Sequence, residues 1–246
     1  MSETASAFTS EQYENPYPQG IERHYWHRAR NRILVRKLRP ILVPGARALD
    51  IGCGPGIVVD YLRGVGIDCR GVDPGTPIPA TSAVASYLTL GVTAADLPDA
   101  ERASYSVLLL MDVLEHLPEP EQFLQDCLRQ FPRATHVFIT LPARMEIWSS
   151  YDEYYGHYRR YSLASAGELV SRVGLRVASQ GYFFHALYAA ARVALLRSNK
   201  RSHRIAAPRP RALHDLLARI LDAEEVIAPA ALPGSSLYAL CERSLA

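Results

Sequence analysis

Apolar positions in this chain fall into short runs separated by turn residues, and the runs alternate between helical and extended periodicity. Ile21 to Leu38 has helical spacing, with Trp26, Ala29, Ile33 and Leu34 roughly on one side, and Pro40 and Pro44-Gly45 end it. Ala46 to Ile51 reads as a short strand. It runs into Gly52-Cys53-Gly54-Pro55-Gly56, and a helix follows from Ile57 to about Val65. Gly66 opens a second strand, Ile67 to Val72, that stops at Asp73-Pro74. A third strand is expected near Tyr87 to Val92. Tyr105 to Met111 reads as a buried fourth strand, because its run from Val107 to Met111 has no polar alternation. Pro118 and Pro120 precede a helix from Glu121 to Gln130, and Thr135 to Leu141 is the fifth strand. Ser162 or Ser165 caps a helix reaching Val173, and Ser165 and Glu168 have capping-box spacing. Leu175 to Phe184 reads as a sixth strand, residues 185–234 as a helical insertion, and Ser235 to Glu242 as the last strand. Such alternation predicts an α/β fold with a mainly parallel sheet covered on both faces. Residues 1–20 are polar, with Pro16 and Pro18, and read as a flexible N-terminal arm; 21–246 reads as a single domain.

Composition narrows the class. With 48% hydrophobic and 21% charged residues among 246, the chain is neither disordered throughout, nor collagenous, nor a coiled coil. Cys53, Cys69, Cys127 and Cys241 lie far apart with no C-x-x-C pair, which argues against a disulfide scaffold or a zinc ribbon and for reduced thiols in a cytoplasm. The first residues show no secretion signal. The most apolar stretch, Tyr182 to Leu196, is too short to span a bilayer, leaving a buried or an interfacial helix. The net charge is only +2, yet Glu22–Arg39 holds seven Lys or Arg against one acid and Tyr182–His214 holds seven against none. Two such windows suit an anionic partner or, equally, two solvated helix faces.

The chemistry centres on Asp50-Ile51-Gly52-Cys53-Gly54-Pro55-Gly56. Glycines let a chain turn tightly and approach a ligand with its backbone, and the following helix offers its N-terminus to negative charge. Asp73 ends the second strand, where an acid in a doubly wound fold takes two ribose hydroxyls. A dinucleotide loop needs G-x-G-x-x-G, but Ile57 holds the position of the third glycine, which disfavours a nicotinamide oxidoreductase. Asp50, next to the loop, repels a pyrophosphate and suits a cationic ligand such as a sulfonium.

The run from Ala48 to Gly56 resembles the signature of class I S-adenosylmethionine-dependent methyltransferases. Gly71-Val72-Asp73 is similar to that family's ribose-binding strand end. Met111-Asp112-Val113-Leu114-Glu115-His116-Leu117-Pro118 is similar to the fourth-strand motif of ubiquinone-biosynthesis-type O-methyltransferases. The resemblance covers about residues 21–184 and the final strand. It implies a Rossmann-like seven-stranded, mostly parallel sheet with helices on both faces and an insertion before the last strand. It implies S-adenosyl-L-methionine as cofactor, bound by Asp50, Gly52, Gly54, Gly56, Asp73, Pro74, Met111 and Asp112. Thr93 stands where many relatives carry an acid, so adenine recognition is expected to fall to Ala94 or Asp96.

Methyl transfer from a sulfonium needs positioning above all, and many acceptors also need a proton removed. Asp112, Glu115 and His116 follow the fourth strand at a spacing that lets them share one face of a helical turn. His116 is then a general base, a brace for the loop, or with Asp112 and Glu115 a ligand of Mg²⁺, the ion that the resemblance implies and the residues favour least. Tyr151 to Tyr161 follows the fifth strand and offers Tyr155 to clamp an acceptor, His157 as an alternative base, and Arg159 or Arg160 to meet an anion. Tyr25 and Trp26 on the first helix are lid residues or core packing, and Cys53 is a small packing residue. The reading that results is O-methylation of a small-molecule acceptor, anionic or lipid-linked, with the insertion on the acceptor side and peripheral membrane contact. A nucleic-acid methyltransferase and a catalytically inactive cofactor-binding scaffold are the alternatives, and the oligomeric state stays open.

Overall fold

The structure, a computed structural model, describes residues 15, 17–200, 205 and 207–243. Helix α1 (Tyr25–Leu38) leads to strand β1 (Ala48–Ile51), helix α2 (Ile57–Gly64), β2 (Cys69–Asp73), β3 (Leu88–Leu90), the short α3 (Asp99–Arg102) and β4 (Val107–Met111). Next come α4 (Pro120–Gln130), β5 (His136–Pro142), α5 (Ser150–Tyr154), α6 (Leu163–Arg172), β6 (Leu175–Phe183), α7 (His185–Leu195), α8 (Arg211–Ile227) and β7 (Ser236–Arg243). One sheet contains all seven strands in the order β3-β2-β1-β4-β5-β7-β6. β1 to β5 pair in parallel, and β7 runs antiparallel between β5 and β6.

Each of the five β4 residues is buried, as an apolar run without alternation requires. Leu108 and Leu110 face one core layer, which contains Leu124 and Leu169 from α4 and α6; Val107, Leu109 and Met111 face the other, with α1, α2 and α8. Each such side chain stabilises the fold by about 1.5–3 kcal/mol relative to exposure. After β1 the chain moves outward to β2, whereas β4 lies on the other side of β1. A crevice therefore opens at the carboxyl ends of these strands, where ligands bind in open α/β sheets.

Three expectations change. The helix expected from Ile21 begins at Tyr25, because His24 is extended and its side chain caps Trp26 N–H; Ile21–Arg23 is a separate 3₁₀ turn. Ser162 caps α6 with Ser165 as its reciprocal partner, so the box with Glu168 does not form. The insertion splits in two: α7 borders the crevice, but α8 lies on α1, held by Arg28–Asp215, Arg36–Asp222 and Lys37–Glu225 ion pairs. Residues 1–14 and 16 of the expected arm lie outside the described residues, while Tyr17 lies against the glycine loop.

Candidate active site

Gly52 and Gly56 bend the backbone out of β1 with φ of +77° and +82°. A Cβ on Gly52 would come within 2.9 Å of Val113, and one on Gly56 within 2.8 Å of Leu88, so the loop takes no side chain at either place. Asp73, buried at the end of β2, accepts hydrogen bonds from Gly54 N–H and Gly75 N–H, each 2.8 Å. That ties the strand end to the loop. Cys53 is buried against Gly71, where a Cβ would meet its Sγ at 2.6 Å, which fits the packing role.

Above the loop lies a cavity of about 730 Å³, within the range of small-molecule sites. Asp50, Gly52, Gly54, Asp73, Met111 and Asp112 line it, as do Tyr25, Trp26, His116, Tyr155, His157 and Arg160. Gly56, Pro74, Ala94, Asp96 and Arg159 do not. Gly56 acts through the turn instead. Asp96 is occupied by its own turn, accepting from Thr93 N–H at 2.8 Å and from the Thr93 hydroxyl at 2.6 Å. Arg159 donates to Pro118 C=O.

Asp50 is 1% exposed, and its Oδ1 is buried with no hydrogen-bond partner. Burial pushes its carboxyl up to about 7 against the pull of Arg30, with Asp73 and Asp112 adding to the rise. A buried carboxylate left in this state is fitted to a cation. Arg30, itself buried, donates to Asp112 Oδ2 at 2.5 Å and lies over the Trp26 ring at 4.7 Å. Carboxylate and guanidinium thus flank one space above the loop. That donor set fits the ammonium, sulfonium and carboxylate of S-adenosylmethionine.

Asp112 does not share a face with Glu115 and His116 as the spacing suggested. It has a left-handed φ of 60° and turns to Arg30, while Leu114–His116 forms a 3₁₀ turn beyond it. The third member of the cluster is His157: ligand atoms of Glu115, His116 and His157 lie within 4.8 Å of one another. Mg²⁺ prefers oxygen donors, so one carboxyl and two imidazoles do not fit it. Burial, with Asp112 nearby, also raises the Glu115 carboxyl well above the usual range, towards its neutral form.

The two imidazoles differ. Nδ1 of His116 lies 3.0 Å from Tyr155 C=O, and burial beside His157 takes its pKa down to about 3. Nδ1 of His157 lies 2.8 Å from Oδ1 of Asp152, a fully buried carboxylate. Asp152 also receives Arg160 Nε at 2.8 Å and caps α5 through Ser149 N–H at 2.9 Å. Burial opposes its ionisation, but the His157 hydrogen bond and Arg160 hold it down to about 2. Arg160 is committed to Asp152 and Arg159 lies outside the cavity, so neither is placed to meet an anionic acceptor.

Tyr17, Arg30 and Tyr151 line the cavity and were not among the candidates named from sequence, nor were Ala190, Ala191 and Ala194 on the α7 wall or Asp152, which stands behind His157. Arg30 lies in the first basic window, and Asp152 lies inside the Tyr151–Tyr161 segment; those were the available signals. For Tyr17, in a polar segment, there was none.

A family model described as a methyltransferase domain matches residues 22–180. The ubiquinone biosynthesis O-methyltransferase of Pectobacterium atrosepticum is 32% identical over 112 residues, 42% of this chain and 46% of that protein. Its counterpart in Burkholderia ambifaria is 37% identical over 90 residues, 34% of this chain and 38% of that protein. The matches thus span less than half the length of these curated relatives. Magnesium protoporphyrin IX methyltransferase from Synechocystis, solved with bound SAH, superposes with a TM-score of 0.52 at 14% identity, covering 89% of this chain and 83% of that one, a likeness of fold.

Proposed function

The chain belongs to the methyltransferase-domain family, and from that premise we propose that it transfers a methyl group from S-adenosylmethionine to a small-molecule acceptor, at an oxygen. The observation that carries this reading is the buried, unpartnered Oδ1 of Asp50 above the glycine loop, with Arg30 nearby. When bound, the cofactor supplies the activated methyl group. Asp50 faces its positive charge, Asp73 takes its ribose hydroxyls, and Arg30 meets its carboxylate, a pairing that suits guanidinium geometry. His157 accepts the acceptor's proton. Asp152 receives the Nδ1–H of that imidazole, which leaves the Nε2 lone pair for the proton, whereas His116, with a depressed pKa and a neutral carbonyl behind it, is the poorer base.

Leu187, Ala190, Ala191 and Ala194 from α7, together with Ile147 and Ile205, make an apolar wall on the acceptor side. This wall supports a quinone-like or lipid-linked acceptor, met at a membrane surface by a cytoplasmic protein in peripheral contact with it. No helix among the described residues is long and apolar enough to cross a membrane. The test is a labelled methyl-donor assay on an extract separated into lipid, small-molecule, protein and nucleic-acid fractions. Label in the lipid fraction is expected. Label in nucleic acid would replace the acceptor, and no calorimetric binding of the donor at millimolar concentration would leave a scaffold.

A further inference from the structure

Helix α8 turns two unlike faces to its surroundings. Its inner face rests on α1 with Ala218 and Leu221 buried. All four of its acids have partners: Asp215 with Arg28, Asp222 with Arg36, Glu225 with Arg36 and Lys37, and Glu224 with Ala186 N–H. The outer face carries Leu213, Leu216, Ile220, Ala223 and Ile227 at alternating steps of three and four, a spacing that sets them on one side of a helix. Leu216, Ile220 and Ile227 are 55%, 52% and 82% exposed. Arg211 and Arg219 are exposed on this helix, and Asp215, half-open to solvent, is paired with Arg28. Next to it, α7 contains no acid, exposes Val193 beside Arg192, and leads to exposed Leu196, Arg197 and Lys200.

We propose that the outer face of α8, continued by the exposed edge of α7, docks on an anionic lipid surface. An apolar stripe flanked by arginines, with each acid of the helix already engaged by a partner, is the pattern of a helix lying in a membrane interface. At about 1.5 Å per residue, the stripe from Leu213 to Ile227 is about 21 Å long. A second copy of the chain is the poorer occupant, because pairing two such faces sets arginines against arginines while the acids of each helix are already paired within its own copy. α8 lies outside the family match at residues 22–180. α7 serves both surfaces: Ala191 and Ala194 line the cavity while Val193, and Leu196 just past the helix end, face outward. A docked protein would therefore hold its cavity mouth near the bilayer. That link to the acceptor rests on the proposed function, but docking does not.

The experiment uses the full chain without cofactor or acceptor, so its outcome is independent of methyl transfer. Sedimentation is measured with phosphatidylcholine vesicles, with and without phosphatidylglycerol. Binding should require phosphatidylglycerol and weaken with salt. Leu216→Glu with Ile220→Glu, both at exposed positions, should reduce binding tenfold or more while the melting temperature and cofactor affinity stay unchanged. Arg211→Gln with Arg219→Gln should reduce it by about tenfold or more, as expected for two arginines near an anionic surface. Negligible binding to both vesicle types, or variants that bind as the parent does, would overturn the proposal. So would a dimer in light scattering that the Glu variant makes monomeric, without vesicle binding.

Discussion

Arg30 on α1 reaches Asp112 at the end of β4, joining two elements 82 residues apart by a 2.5 Å hydrogen bond inside the cavity. Arg30 lines the cavity and its Nε is buried without a partner, so the guanidinium can also serve a ligand carboxylate. Arg30→Gln should weaken S-adenosylmethionine binding by about 10- to 100-fold, the scale of one charge-assisted, bidentate contact. Methylthioadenosine has no carboxylate and should bind the parent and the variant alike. Calorimetry with both ligands checks this, and equal losses for the two would place the role of Arg30 in folding instead.

Asp50 sets a pH dependence whose sign follows from its raised pKa. The folded carboxyl binds its proton more tightly than the unfolded one, so its contribution to stability is favourable below the unfolded value near 4 and is lost as pH rises towards about 7. Asp50→Asn should therefore stabilise the free protein at pH 8 by up to a few kcal/mol, while weakening binding of the cationic cofactor. Parent affinity should fall as pH drops below about 7, with proton release on binding. Thermal melts and calorimetry in buffers of different ionisation enthalpy measure both effects.

His157 and His116 separate by turnover. His157→Ala should lower kcat by about 10²- to 10⁴-fold with little change in cofactor affinity, the usual cost of losing a general base. His116→Ala should cost less, since an imidazole with a pKa near 3 accepts a proton poorly. Turnover lost on chelation and restored by Mg²⁺ would move the pair from proton transfer to ligation.

The glycine loop, Asp73 and Met111 were legible because each is defined by neighbours along the chain: a turn after a strand, an acid at a strand end, the close of an apolar run. Arg30 was not, since its role depends on α1 crossing over β4, and nothing near residue 30 announces Asp112. The same blindness made Asp112 look like a companion of Glu115. His157 joined that cluster only when β5 and α5 brought it back to the end of β4. Ser162 and Ser165 are both acceptable caps by residue type, and only the backbone decides between them. The seven-stranded architecture followed from periodicity, but the position of α8 on α1 depends on ion pairs between segments nearly 190 residues apart.

Two glycines of the loop should respond in opposite order. Gly56 has φ +82°, and an added Cβ would lie 2.8 Å from both methyl carbons of Leu88, which is half-buried and packs against the core. Gly56→Ala thus adds left-handed strain of about 1–2 kcal/mol to an overpacking cost of about 1–3 kcal/mol. For a domain of this size the melting temperature should fall by about 5–15 °C. Gly54 has φ +52°, but its Cβ would meet nothing closer than the Tyr17 hydroxyl at 3.6 Å, an ordinary contact. Gly54→Ala should therefore cost only about 1–2 kcal/mol of stability, from backbone strain. Its Cβ would project where the backbone must approach the cofactor, so affinity should drop further than for Gly56→Ala, compared at a temperature where both are folded. Differential scanning fluorimetry and calorimetry on the pair read the two quantities separately. If Gly54→Ala bound the cofactor as the parent does, the ligand would not be lying against this loop.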